Sequence, residues 1–137
     1  MKKPIKIKQQ KGAAAVEFAI ILPVLIMLIF GIYQFGIAYN RYITLTHAAR
    51  EGARVAAVDY NNEDIPDPES YIKQIVIERA TSIYDLTEDD ISINLPEGNK
   101  IGKPIEIEIL YNLFIEIPLV NSWNIELTPK GIMRLER

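Results

Sequence analysis

The pattern of apolar and polar positions divides the chain into one long uninterrupted run and a set of shorter periodic segments. From Ala13 to Tyr39 the only strongly polar side chains are Glu17 and Gln34. A helix over this run would be about 40 Å long, more than the roughly 30 Å of a bilayer's hydrocarbon core. Phe18, Ile20, Ile21, Leu22, Val24 and Leu25 place apolar groups on every face of that helix. A membrane-spanning segment over 13–39 is therefore expected rather than a core helix, because the rest of the chain is too small to surround it. Pro23 removes one helical hydrogen bond and should bend or loosen the span.

Beyond the run the periodicity changes. Over 40–58 the helix should continue, with Leu45, Ala49, Gly52, Ala53 and Ala56 on one narrow, mostly small stripe fit to receive a sheet or a neighbouring helix. His47, Arg50 and Arg54 share another face, read first as solvated surface and second as a site for a partner. Asp59 to Pro68 is rich in Asn, Asp, Glu and Pro and reads as a loop. Asp67 suits an N-cap and Pro68 a first helical position. Ile72, Ile75, Val76, Ala80 and Ile83 then form the stripe of a second helix ending near Tyr84 to Leu86.

Strict alternation follows at Ile91, Ile93 and Leu95, and again at Ile105, Ile107 and Ile109, joined by a glycine-containing hairpin over 96–103. Trp123, Ile125 and Leu127 begin a further strand. Pro129-Lys130-Gly131 reads as a turn before a last strand near Ile132 to Glu136. The expected fold class is α+β: a long N-terminal membrane-spanning helix continuing into an extracytoplasmic domain with a second helix and a three- to four-stranded antiparallel sheet. Leu110, Tyr111, Leu113, Phe114, Ile115, Ile117, Leu119 and Val120 are denser than one buried strand face requires. They read first as core and second as a contact with another subunit, and exposure separates the two.

Charge gives the membrane segment a direction. The net charge of −3 conceals five lysines and no acid in the first twelve residues, namely Lys2, Lys3, Lys6, Lys8 and Lys11, against 10 basic and 17 acidic residues over 40–137. Lysines before the span and almost none directly after it place the N-terminus in the cytoplasm and the larger domain outside. The span is too long for the apolar region of a cleaved secretory signal, and Phe35 to Tyr42 offers no suitable cleavage site. The acidic outer part argues against direct nucleic-acid binding. The chain holds no cysteine, so disulfides and thiolate metal sites do not arise.

Glu17 departs from a plain anchor. A carboxylate near the bilayer costs several kcal/mol unless it is paired or protonated, so its default reading is functional, with a shallow headgroup position as the bland alternative. Its neighbours read Lys11-Gly12-Ala13-Ala14-Ala15-Val16-Glu17-Phe18. This arrangement, a basic leader ending in glycine before a helix with Glu and Phe at its fifth and sixth positions, resembles the prepilin processing site of type IV-like pilins in their Tad (tight adherence) branch. Ala48-Ala49-Arg50-Glu51-Gly52-Ala53-Arg54 resembles the segment that follows the membrane helix in TadE-like pseudopilins. The resemblance covers 11–58, and the chain's length beyond residue 58 suits a minor, TadE-like component better than a main pilin, with TadF-like proteins as close relatives.

The resemblance implies a pilin-like fold and cleavage between Gly12 and Ala13 by a prepilin peptidase. It also implies subunit pairing through Glu17 and Phe18, and it makes Arg50 and Arg54 candidate subunit contacts. Its partners would be the membrane, the peptidase, other pilins or pseudopilins, and an assembly platform protein with its ATPase. The chain would then divide into a cytoplasmic leader (1–12), a membrane and assembly helix (13–39), its extracytoplasmic continuation (40–58) and a small α+β domain (59–137), located at the cytoplasmic membrane or in an extracellular pilus. The alternative is an uncleaved single-pass protein whose outer domain binds a ligand or an envelope partner.

Catalytic chemistry has little support. The sequence carries no metal-ligand spacing, phosphate-binding glycine loop or nucleophile arrangement, and His47 is its one histidine. Glu63, Asp64, Asp67 and Glu69 lack the regular oxygen spacing of a calcium loop and read as a solvated turn. No enzyme activity, cofactor or metal is expected.

Overall fold

In the computed structural model, the backbone of residues 7–118 and 121–136 is described, with side chains from residue 12 onward. Lys2, Lys3, Lys6, Leu119 and Val120 lie outside the described residues, as do the side chains of Lys8 and Lys11. One helix, α1 (Ile7–Asp59), runs through both the apolar run and the small-residue stripe without interruption. Its 53 residues span about 80 Å. The helix already includes Ile7, so the Gly12–Ala13 bond lies inside it. Pro23 is also internal to α1.

The second helix, α2 (Pro68–Arg79), begins as the sequence predicts. Pro68 occupies its first turn and the Asp67 side chain accepts a hydrogen bond from the Ser70 N–H at 3.1 Å. It stops earlier than expected. Ala80 closes it with its N–H aimed at the carbonyls of Val76 and Ile77, and Thr81 and Ser82, which favour turns over helix interiors, follow. The apolar stripe nevertheless continues into the core, because Ala80, Ile83 and Leu86 are carried inward by turns rather than by helix.

Five strands follow: β1 (Ile91–Asn94), β2 (Pro104–Ile109), β3 (Tyr111–Ile115), β4 (Trp123–Leu127) and β5 (Lys130–Arg134). They form two antiparallel sheets, a three-stranded one in the order β1-β2-β5 and a two-stranded β3–β4 ribbon. The expected antiparallel sheet of an α+β fold is present as β1-β2-β5, with the β3–β4 ribbon beside it. The predicted hairpin is present, with Asn94 opposite Glu106, and Gly98 and Gly102 in its connection both take the left-handed φ that only glycine adopts without strain. Lys130 and Gly131, expected in a turn, instead start β5, where they pair with Glu108 and Ile107. A Lys130–Glu108 ion pair at 2.9 Å flanks that pairing.

The alternation of β2 persists through β3. Ile105, Ile107, Ile109, Tyr111, Leu113 and Ile115 are all buried, although the strand exchanges one partner for another at Leu110. These odd positions share one core with Leu45, Ala48, Ala49, Ala53 and Ala56 of α1 and with Ile72 and Val76 of α2. The expected stripe on α1 is therefore the surface that receives both α2 and the sheet. Gly52 shows how tight the fit is, since a Cβ there would fall 2.4 Å from Cγ2 of Val76 and 3.7 Å from Cγ2 of Ile107.

Candidate functional site

The predicted site residues fall on α1 in two groups separated by most of its apolar length. Gly12, Ala13, Glu17 and Phe18 lie in the exposed N-terminal arm, and nothing approaches within 4 Å of where a Cβ on Gly12 would stand. Glu17 has no ion-pair or hydrogen-bond partner among the described residues. Around it Val16, Phe18, Ile20 and Ile21 are each more than half exposed. Among the described residues one helix, α1 from Gly12 onward, is long and apolar enough to cross a membrane. None of the apolar stretch of this helix is buried by the other described residues. A shell of Val, Ile, Leu and Phe of this extent is unfavourable in water and suited to lipid or to neighbouring helices.

Pro23 sits halfway along this arm, half-buried by the helix's own side chains. The amide left without a partner by a helical proline is tolerated where adjacent helices or side chains can reach it.

Arg50 and Arg54 stand on the opposite part of α1, beside the folded head, and both are exposed. Arg54 donates from Nε and an η nitrogen to the two Glu51 oxygens at 2.9 and 2.8 Å. Arg79 of α2 approaches the same carboxylate at 3.7 Å. The hydrogen bond from Arg54 lowers the Glu51 pKa from its ordinary value, with smaller Coulombic contributions from Arg54 and Arg79 opposing the effect of burial. His47, Ala48, Glu51 and Arg79 line a shallow depression there. The basic face is thus partly neutralised by its own glutamate, and Arg50 remains the exposed cation without an ion pair among the described residues.

Two contacts that sequence reasoning missed tie the β3–β4 ribbon to α1. Arg41 donates to the hydroxyl of Tyr111, which in turn donates to the Asp85 carboxylate at 3.0 Å. Further toward the N-terminus, Nε2 of Gln34 donates to the backbone carbonyl of Glu116 at 2.8 Å. β3 therefore runs down α1 toward the apolar arm. Between ribbon and helix lies a cleft of about 360 Å³ lined by Gly31, Phe35, Tyr39, Ile117, Trp123 and Ile125 among others. Gln34 was visible in the sequence as the one polar break after Glu17. Nothing local in the sequence assigns it a partner 82 residues away.

The dense apolar segment after Leu110 divides by face. Tyr111, Leu113 and Ile115 are core and Ile117 packs half-buried against it, whereas Leu110 and Phe114 are 45 % and 59 % exposed and are left open by the head.

No group of three or more metal-ligating side chains occurs among the described residues. No curated protein and no solved structure matches the chain. The model of the TadE-like protein family matches residues 12–54. The match opens at Gly12, follows the whole apolar arm and ends at Arg54, past Ala48, Ala49, Gly52 and Ala53 of the packed stripe and short of Ala56. Over residues 12–54, the helix that organises this molecule is similar to the TadE-like protein family.

Proposed function

We propose that this chain is a non-enzymatic minor pilin-like subunit that takes part in assembling a Tad-type pilus, in initiation, capping or joining. The observation that carries the reading is the TadE-like match over an α1 whose first half is apolar, exposed and without partners, while its second half is the spine of the head. The unpartnered arm is held by lipid before assembly and by the helices of other subunits afterwards. The chain is anchored in the cytoplasmic membrane with residues 1–12 inside and the head outside.

A prepilin peptidase cuts between Gly12 and Ala13. Since that bond lies in α1, the peptidase must first unwind the helix locally. This disturbs no tertiary contact among the described residues, none of which comes within 4 Å of a Cβ placed at Gly12. Cleavage removes the lysine leader and creates an α-ammonium on Ala13. That cation and the Glu17 carboxylate of a neighbouring subunit are opposite charges in a low-dielectric setting, and each relieves the desolvation cost of the other. Their pairing sets the register of entry, and Phe18 packs beside it. Arg50 offers a further subunit contact outside the membrane, with Arg54 beside it. The partners are other pilins or pseudopilins, the peptidase, and a platform protein with its ATPase.

The test is the mass and N-terminal residue of the mature protein isolated from membranes of its native host. A start at Ala13 supports the proposal. An intact lysine leader overturns it and leaves a signal-anchored binding domain as the better account.

A further inference from the structure

We propose that the β3–β4 ribbon is a second membrane contact, its lower end resting among the headgroups and upper acyl chains of the bilayer that α1 crosses, with Trp123 as the anchor. The inference rests on the membrane-spanning reading of α1 above and adds a surface that the reading does not require.

Depth along α1 carries the first step. Starting from Ala13, about 20 helical residues cross the hydrocarbon core, which brings the exit to the level of Ile32 and Tyr33. Gln34 is the first strongly polar side chain beyond that level, and it holds the Glu116 carbonyl at 2.8 Å. Pro118 and Glu116 also meet Phe30 and Gln34 along one shallow surface. Glu116 and Pro118, just past the end of β3, are therefore held where the helix leaves the lipid.

The second step is the character of the surface at that level. β3 and β4 pair with Ile115 opposite Trp123 and Leu113 opposite Ile125, so Trp123 and Ile125 share the face that β3 presents to α1. On β3 that face is buried, but Trp123 and Ile125 remain 43 % and 37 % exposed along the open cleft. Phe35 and Tyr39 face the cleft from the helix and are more than half exposed, and Phe114 is exposed on the ribbon's other side. An open apolar cleft rimmed by Trp, Tyr and Phe is unfavourable in water. At a membrane interface it is the expected composition, because amphipathic aromatic rings concentrate at headgroup level. Asn121, Ser122 and Glu116, exposed at the same end, suit the hydrated headgroup layer. The apolar surface of the cleft is also continuous with the arm through Gly31. Lipid reaching the arm reaches the cleft.

Trp123 is the single tryptophan of the chain, so its fluorescence reports the position of the ribbon directly. The full chain is reconstituted at low density in phosphatidylcholine vesicles carrying bromine at either shallow or deep acyl carbons. A second variant, Trp123→Phe with Ile26→Trp, moves the probe to the middle of the span. The expected result is greater loss of Trp123 emission with shallow than with deep bromines, and the reverse order for the Ile26→Trp probe. If the mid-span probe is quenched by lipid while Trp123 is quenched only by aqueous acrylamide, the ribbon proposal is overturned and the span stands. Quenching of neither probe by lipid overturns both. Protection of Trp123 from lipid and acrylamide alike means that another protein copy fills the cleft, which also overturns the proposal.

Discussion

Gly131 of β5 lies so close to Ala49 of α1 that a Cβ added to the glycine would stand 2.2 Å from the Ala49 carbonyl oxygen and 2.7 Å from the Arg50 amide nitrogen. The helix and the three-stranded sheet meet backbone to backbone here. Ile107, opposite Gly131 in the register, packs beside Gly52 on the same side of the helix.

Gly131→Ala is accordingly expected to destabilise the head by about 1 to 3 kcal/mol or more, because neither the helix backbone nor β5 can rotate away as a side chain could. For a domain of this size that lowers the melting temperature by roughly 4 to 8 °C per kcal/mol. Thermal unfolding of the full chain in detergent, followed by Trp123 fluorescence, checks it; an unchanged midpoint would show that the close approach does not hold the sheet.

Gly52→Ala presents a different balance. The added methyl meets a side-chain methyl, Cγ2 of Val76, rather than backbone. Replacing glycine inside a helix gains about 0.5 to 1 kcal/mol, against an overpacking cost of about 1 to 3 kcal/mol. The single variant is expected to be destabilised. In the Val76→Ala background the same change should cost less or become stabilising, and a double-mutant cycle measures the coupling.

Tyr111 supplies a pH dependence. Burial first, then its hydrogen bond to Asp85, raise its pKa above the ordinary value of 10.0. The unfolded phenol ionises first as pH rises, so the contribution is complete below about pH 10 and is lost as pH climbs through the folded-state pKa. Tyr111→Phe should cost about 0.5 to 1.5 kcal/mol at neutral pH and make the alkaline loss of stability shallower. Denaturant titrations at several pH values between neutral and alkaline provide the comparison, and an equally steep loss in the variant refutes the assignment.

Glu17→Gln tests assembly without testing the fold. With no partner for Glu17 among the described residues, the variant should keep the melting temperature of the head and its membrane insertion. Its incorporation into pili should fall sharply. Normal incorporation, scored by recovery of the subunit in sheared pili, would remove Glu17 from the proposed pairing.

Arg54→Ala removes an exposed, solvent-screened ion pair, so the stability of the head is expected to change little. Comparing Arg50→Ala and Arg54→Ala for subunit recovery then asks whether the basic face serves assembly. Loss of assembly with an unchanged head would assign it to a partner; full assembly in both variants would leave it as solvated surface.

Local periodicity by itself determined α1, the N-cap of α2, the burial parity of β1 and β2, and the small-residue stripe at Leu45, Ala49, Gly52, Ala53 and Ala56. Each of these follows from side-chain spacing or from a cap within a few residues, and the match at 12–54 lies in this same contiguous helix. Tertiary structure decided the rest. Leu110 is where one strand changes sheets, yet the odd–even alternation passes through it unbroken, so the sequence there looks like a single strand. Gly131 reads as a turn glycine beside Pro129, and only the approach of Ala49 from 82 positions earlier makes it a packing residue. Gln34 and Glu116 meet across an equal separation. Such pairings depend on how helix and strands are brought together in space, and no short-range pattern in the chain encodes that.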